Sequence, residues 1–232
     1  MKAAIMQPYF LPYIGYFQLI RAVDVFVVYD NIQYTKKGWI NRNRFLLGGS
    51  DATFSLPIRK DSDFLDVRQR ELAPDFDRAK LLNRLREAYR RAPEFARVFP
   101  LLEAIVLDGA GNLFDYVHQS ITKVCAYLQI DTPIVVSSTV DIDHSLQAQD
   151  KVLAICRSIG ADQYVNPIGG QALYSREVFG AQGVGLSFLR SRDKQYMQFG
   201  DPFVPWLSII DVLMFNSSPA IADQLEHGYE LI

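Results

Sequence analysis

The first twenty-nine residues leave a chain like this few ways to fold. Residues 2–6 (KAAIM) form a short apolar strand, and Gln7-Pro8-Tyr9-Phe10-Leu11-Pro12-Tyr13 is a turn stiffened by two prolines. Gly15 and Tyr16 open an apolar helical run, and residues 24–29 (DVFVVY) form a second strand. Strand, helix and strand in so short a span make a βαβ unit, which commits both strands to a parallel sheet. In open α/β sheets, ligands bind outside the carboxyl ends of the strands, against a helix N-terminus. The site is therefore expected to begin with the opening turn.

The same alternation returns later in the chain. After Tyr29 comes a polar, aromatic and basic stretch, residues 30–45, and then a β-hairpin whose strands 44–47 and 53–58 flank Gly48-Gly49-Ser50-Asp51. Three helical patterns follow, at 72–89, 94–107 and 112–128; in the last, Leu113, Val117, Ile121, Val124 and Leu128 share one stripe. Strands are expected at 133–136, 163–165 and 184–189, and helices at 147–159 (closed by Gly160) and 206–215. The expected fold is α/β and Rossmann-like. It is a single domain over residues 1–232, with a mainly parallel sheet, a hairpin insertion at 40–58 and a helical block at 72–128. Strand order cannot be read from these patterns.

With 232 residues and a net charge of −2, the chain is large enough for a substantial core and is not a general nucleic-acid binder. Cys125 and Cys156 each sit in an apolar helical pattern and read as buried thiols of a cytoplasmic protein. No CxxC or His/Cys cluster marks a metal site. No apolar run is long enough to insert in a membrane, and the prolines of the opening turn do not suit a signal peptide.

Residues 36–44 are the strongest binding candidate. Lys36, Lys37, Arg42 and Arg44 suit phosphate, while Trp39 and the amides Asn41 and Asn43 suit a base or a sugar. Gln7, Tyr9 and Tyr13 lie on the opening turn, where an aromatic face would stack on a sugar or base. Asn166, Gly169 and Gly170 follow a strand and allow close backbone approach to a ligand. For chemistry, Asp30 ends a strand, and His144 sits in a polar loop with neighbouring carboxylates. Ser138 and Thr139 end another strand, where capping suits them better than phosphate binding. Arg78, Arg84, Arg86, Arg90 and Arg91 make one helix arginine-rich, a solvated face or a surface for RNA. The opening turn and the cationic, tryptophan-bearing stretch are expected to converge on one concave, anion-accepting surface.

Several blocks together resemble the WbqC-like family of bacterial surface-polysaccharide gene clusters. They are Ile5-Met6-Gln7-Pro8-Tyr9-Phe10-Leu11-Pro12-Tyr13-Ile14-Gly15-Tyr16-Phe17, Tyr29-Asp30-Asn31-Ile32-Gln33-Tyr34, Trp39-Ile40-Asn41-Arg42-Asn43, Asn166-Pro167-Ile168-Gly169-Gly170 and Leu207-Ser208-Ile209-Ile210-Asp211. The resemblance implies work in O-antigen (lipopolysaccharide) biosynthesis. Its sharpest form is a transferase that N-acylates a nucleotide-linked amino sugar, with a glycyl or other aminoacyl group. ATP or an aminoacyl donor would then be the cofactor, and aminoacyl-tRNA a conceivable partner. A fainter resemblance links residues 7–20 to the nucleotidyltransferase-like superfamily and its (T/H)xGH signature, with Gly15 retained and Tyr16 in place of a catalytic histidine. That alternative implies altered nucleotidyl-transfer chemistry at Tyr16. A non-catalytic nucleotide-sugar-binding module is the third expectation.

Overall fold

A computed structural model describes every residue except Asp193 and Asp201. The central sheet holds β1 (Lys2–Met6), β2 (Val25–Val28), β5 (Ile134–Val136), β6 (Gln163–Pro167), β7 (Gly185–Ser191) and β8 (Tyr229–Leu231), in the order β5-β2-β1-β6-β7-β8. All neighbouring pairs are parallel except β7 with β8. The chain therefore starts in the middle of the sheet, runs outward through β2 and β5, then returns to the other side of β1 through β6. That reversal opens a crevice at the carboxyl ends of β1 and β6, where doubly wound folds bind ligands. The fold is α/β and Rossmann-like.

Two-residue periodicity explains why the central strands are apolar on both faces. Ala4, Phe26, Val28, Val165 and Leu189 face one core, shared with α1 (Ile14–Arg21) and α4 (Leu113–Tyr127). Ala3, Ile5, Val25, Val27 and Tyr164 face the other, closed by α5 (Ala148–Ser158) and by Phe179 of α6 (Arg176–Ala181). Cys125 and Cys156 are buried free thiols, each pushed up to about 12 by burial. Among the described residues no helix is long and apolar enough to cross a membrane.

The hairpin is a separate two-stranded sheet, β3 (Arg42–Leu47) and β4 (Ser50–Ser55). Its turn is tighter than the expected four residues: only Gly48 and Gly49 intervene, at φ +61° and +82°, values glycine adopts without strain. Two helices begin later than their apolar patterns suggest. The helix expected from 72 is α2 (Arg78–Tyr89), because Asp77 caps it by accepting the Lys80 N–H at 2.8 Å. Leu72 is instead bridged to Ile58 in extended conformation. The helix expected from 206 is α7 (Ile209–Phe215), since Trp206 has φ +57° and cannot join a right-handed helix. Helices α3 (Phe95–Val106) and α8 (Ser218–His227) complete the fold; α6, α8 and β8 have no counterpart in the sequence reading.

The arginine-rich helix is not a bare solvated face. Arg78 lies over Phe76 and Tyr116 and donates to Ala110 O, and Arg84 lies over Phe45 and donates to Thr53 O. Arg86 covers Phe99, and Arg91 covers Phe199. These guanidiniums pack the helix onto the fold, while Arg84, Arg90 and Arg91 remain exposed.

Candidate functional site

The carboxyl ends of β1, β2 and β6 open into a cavity of about 970 Å³. From β1 come Met6, Gln7 and Tyr9; after β2 come Tyr29, Asn31 and Gln33; after β6 come Asn166, Gly169, Gly170 and Tyr174. The loop entering α5 supplies His144, Ser145 and Gln147, and α5 itself supplies Lys151. Pockets for small ligands run from roughly 300 to 1,000 Å³, so this one has room for a nucleotide-sized molecule. Its lining mixes ring faces and amides with the Lys151 amine, the His144 imidazole and the Asp66 carboxylate.

Lys151 is the feature that sequence reading missed. It is only 7% exposed, yet among the described residues no carboxylate lies within 4 Å of Nζ. Nζ donates to Asn31 O at 3.2 Å and reaches Asn31 Oδ1 at 3.4 Å, and it sits 5.5 Å from the centre of the Tyr29 ring. Burial lowers its pKa against the opposing pull of Asp66 and Asp30. An ammonium with little exposure, whose neighbouring carboxylates Asp66 and Asp30 act on it only from beyond ion-pair distance, has unspent affinity for an anion. The signal was present: in the helix pattern Lys151 falls four residues before Ile155, on the buried stripe.

Asp30 does not line the cavity; it fastens the floor beneath it. The residue is 3% exposed, and its Oδ1 accepts from Ser137 Oγ at 2.8 Å and from the Ser138 N–H at 2.9 Å. Burial pushes the Asp30 carboxyl up, but the bonds from Ser138 and Ser137 outweigh it and leave the pKa below its usual value. Ser137 Oγ also lies 2.6 Å from Asn31 Oδ1, and Asn31 Nδ2 meets His144 Nδ1 at 2.9 Å. Asp30, Ser137, Asn31, Lys151 and His144 thus form one connected network joining the ends of β2, β5 and α5. His144 is exposed at the rim, and with Nδ1 engaged its Nε2 is the nitrogen left for a ligand.

Gly170 is where backbone and side chain come closest. A Cβ there would lie 2.0 Å from Asn166 Nδ2, while Asn166 Oδ1 accepts from the buried Tyr164 hydroxyl at 3.0 Å. Gly170→Ala is expected to displace the Asn166 amide and weaken ligand binding in the cavity about tenfold, with global stability changed by less than ~1 kcal/mol. Calorimetric titration beside a thermal melt measures both.

Several sequence candidates stand elsewhere. The Tyr16 hydroxyl is buried and donates to Gln7 O at 2.9 Å, so it steadies the opening turn and faces no ligand space. Asn41 is buried, accepting from Tyr34 Oη and donating to Leu56 O. Lys36 is paired with Asp63 at 2.6 Å, and Lys37 is exposed. Arg42 donates to the carbonyls of Gly38 and Lys37, so its guanidinium closes its own loop. Thr139 bonds Val136 O. The opening turn and the tryptophan-bearing stretch do meet, but in a smaller cleft of about 210 Å³ lined by Tyr9, Pro12, Tyr13, Trp39, Asn43, Arg44 and Trp206. Tyr9 borders both spaces. The lysines and Arg42 line neither one, so the expected single cationic surface is divided and its cation is Lys151 or Arg44. Among the described residues no group of three or more His, Cys, Asp or Glu side chains is placed to hold a metal ion.

No solved structure matches the chain significantly. A curated relative, the uncharacterized protein Rv1507c of Mycobacterium tuberculosis, is 29% identical over 229 residues, which span 97% of this chain and 98% of the relative. The sequence profile of the WbqC-like protein family matches residues 7–223. That match takes in the opening turn, the Asp30–Asn31 junction, Lys151 and the Asn166–Gly170 loop, and the chain belongs to the WbqC-like protein family.

Proposed function

We propose that the chain is a transferase acting on a nucleotide-linked amino sugar for surface-polysaccharide assembly. The observation that carries this reading is the 970 Å³ cavity at the sheet's reversal point, with a buried amine in its wall that no carboxylate of the described residues approaches within 4 Å. Nucleotides bind at this place in doubly wound folds, and a phosphate supplies the contacting anion that Lys151 lacks. The backbone at Gly169 and Gly170 lets a phosphate approach closely. The amides of Gln7, Gln33 and Gln147 suit hydroxyls, and the rings of Tyr9, Tyr29 and Tyr174 suit a base or sugar face.

In the reaction this implies, the sugar amine attacks the carbonyl of an activated acyl donor. The C–N bond forms, the donor's C–O bond breaks, and the departing oxygen carries off the amine proton. His144, whose Nδ1 accepts from Asn31 Nδ2 and whose hydrogen is therefore on Nε2, is placed to donate to the acyl oxygen as negative charge builds there. An acyl-adenylate formed from ATP or an aminoacyl ester meets that balance equally. Tyr16, buried against Gln7 O, has no access to a nucleotide phosphate, so the nucleotidyl-transfer alternative lacks its acting group.

Thermal melts and calorimetry with nucleoside-diphosphate amino sugars test the reading. A ligand at a hundred times its Kd adds about 2.7 kcal/mol to the native state, a rise of roughly 5–10 °C in Tm for a chain of this size. Mass spectrometry with each acyl donor then looks for the amide product. Absence of both the Tm rise and the calorimetric signal across the nucleotide-sugar panel would overturn the reading. Binding without product under either donor would leave a nucleotide-sugar-binding module in its place.

A further inference from the structure

The 210 Å³ cleft beside the main cavity has features that the catalytic reading leaves unused. Its walls are four aromatic rings and a proline, with one guanidinium. Trp39 and Trp206 are 43% and 51% exposed, unusual for the largest apolar side chains on a surface. Tyr13 meets Trp206 edge to face at 6.0 Å. Arg42 and Arg44 lie 5.4 and 5.9 Å from the Trp39 ring centre and hold that ring in place.

The cleft is also built on strained backbone that side chains pin down. Leu11 and Trp206 have φ +46° and +57°, values that cost a non-glycine residue of order 1–3 kcal/mol. Leu11 O accepts from Asn43 Nδ2 at 2.8 Å and from Ser208 Oγ at 2.7 Å, and Trp206 O accepts from Arg44 Nη2 at 3.1 Å. Asn43 is therefore scaffold to the cleft and its amide is not free for a ligand. Gly15 belongs to the same device: a Cβ there would fall 2.3 Å from the Tyr13 ring. Strain that the surroundings overdetermine is a mark of preorganised sites.

Arg44 adds an unmet demand. Its Nη1 pairs with Asp51 at 3.3 Å and Nη2 with Trp206 O, but its buried Nε–H has no partner. A buried donor left unpaired calls for an acceptor. The volume falls below the range for nucleotide-sized ligands, so the cleft holds one ring. A pyranose presents a polarised C–H face to the negative face of an aromatic ring and carries oxygen acceptors around its edge. Resting on the reading above, we propose that the Tyr13–Trp39–Arg44–Trp206 cleft is a pyranose subsite, separated from the main cavity by Tyr9. Through Tyr9 a sugar seated there abuts whatever fills the larger space.

Trp39 and Trp206 are the chain's two tryptophans, so its intrinsic tryptophan emission reports this cleft alone. Titration of the full chain with methyl pyranosides, varied at C2, C5 and C6, is expected to give a saturable emission change with at least one of them. Ligand-observed NMR with that glycoside is expected to show at least tenfold weaker binding to Trp206→Ala. A second variant, Arg44→Met, keeps the stem but removes the Nε–H donor, and is expected to weaken binding as well. Lys151→Met is expected to leave the glycoside titration unchanged, which separates this result from any failure in the main cavity. No saturable change with any pyranoside overturns the proposal. So does saturation by nucleosides in place of pyranosides, or undiminished affinity in both cleft variants.

Discussion

Lys151→Met is expected to fold as well as the parent protein while losing affinity for any phosphate-bearing ligand by roughly 10- to 100-fold. The loss follows from one charge-assisted contact, worth about 1.5–3 kcal/mol. Stability is spared because methionine keeps an unbranched stem of similar reach and removes a cation that burial disfavours. The pH dependence gives an independent check. Because burial lowers the folded-state pKa of Lys151 from 10.5, the unfolded chain holds more protons between the lowered value and 10.5. Folding stability from this group therefore rises with pH across that window. Below the window the full cost of the buried ammonium is present, and Lys151→Met relieves it. Urea melts from neutral to alkaline pH should show the parent gaining on the variant as pH rises. A variant that binds nucleotide sugars as tightly as the parent would remove Lys151 from the site.

Asp30→Ala is expected to be the most destabilising substitution near the cavity. The carboxylate accepts from Ser137 Oγ and the Ser138 N–H, and its Oδ2 lies 4.0 Å from Arg68. Deleting it strands the half-buried Ser138 N–H, at about 1–3 kcal/mol, and leaves Ser137 Oγ with Asn31 Oδ1 as its acceptor. A loss of about 2 kcal/mol corresponds to a Tm drop of roughly 4–8 °C in a chain of this length. Asp30→Asn keeps an acceptor for the Ser138 N–H and should lose about half as much. Ligand binding should fall with stability, since Ser137 and Asn31 lose their fixed positions and with them the partners of Lys151 and His144. The sign with pH is the opposite of that for Lys151. The Asp30 pKa is lowered on folding, so its contribution is whole above the unfolded value near 3.8 and is lost as pH falls through the folded one. An Asp30→Ala protein melting within 2 °C of the parent at neutral pH would show that the network does not hold the cavity floor.

Much of the scaffold was legible because its rules are local. The run KAAIM, the prolines at 8 and 12 and the helical stretch after Gly15 specify a strand, a turn and a helix through neighbours a few residues apart. The location of the cavity at the ends of β1 and β6 follows from the same βαβ rule. Asn166, Gly169 and Gly170 line that cavity, as do Gln7, Tyr9 and His144. What the local pattern misjudged was the use of polar side chains. Arg42 looked available and is spent on carbonyls four and five residues back. Asn41 and Asn43 looked like ligand amides and instead hold Leu56 O and Leu11 O.

The sequence by itself determined the α/β class, the opening βαβ unit and the family, because periodicity, proline and glycine act over one or two turns of chain. Only the tertiary structure decided which charge the cavity carries. Lys151 meets Asn31 across 120 residues, and Ser137 meets Asp30 across 107. A hydrogen bond closed over such a distance depends on how the sheet is ordered, and strand order leaves no mark on local periodicity. The division of one expected surface into a cavity and a tryptophan cleft has the same origin. Tyr9 stands between them because β1 lies at the centre of the sheet, a position settled by packing on both of its faces.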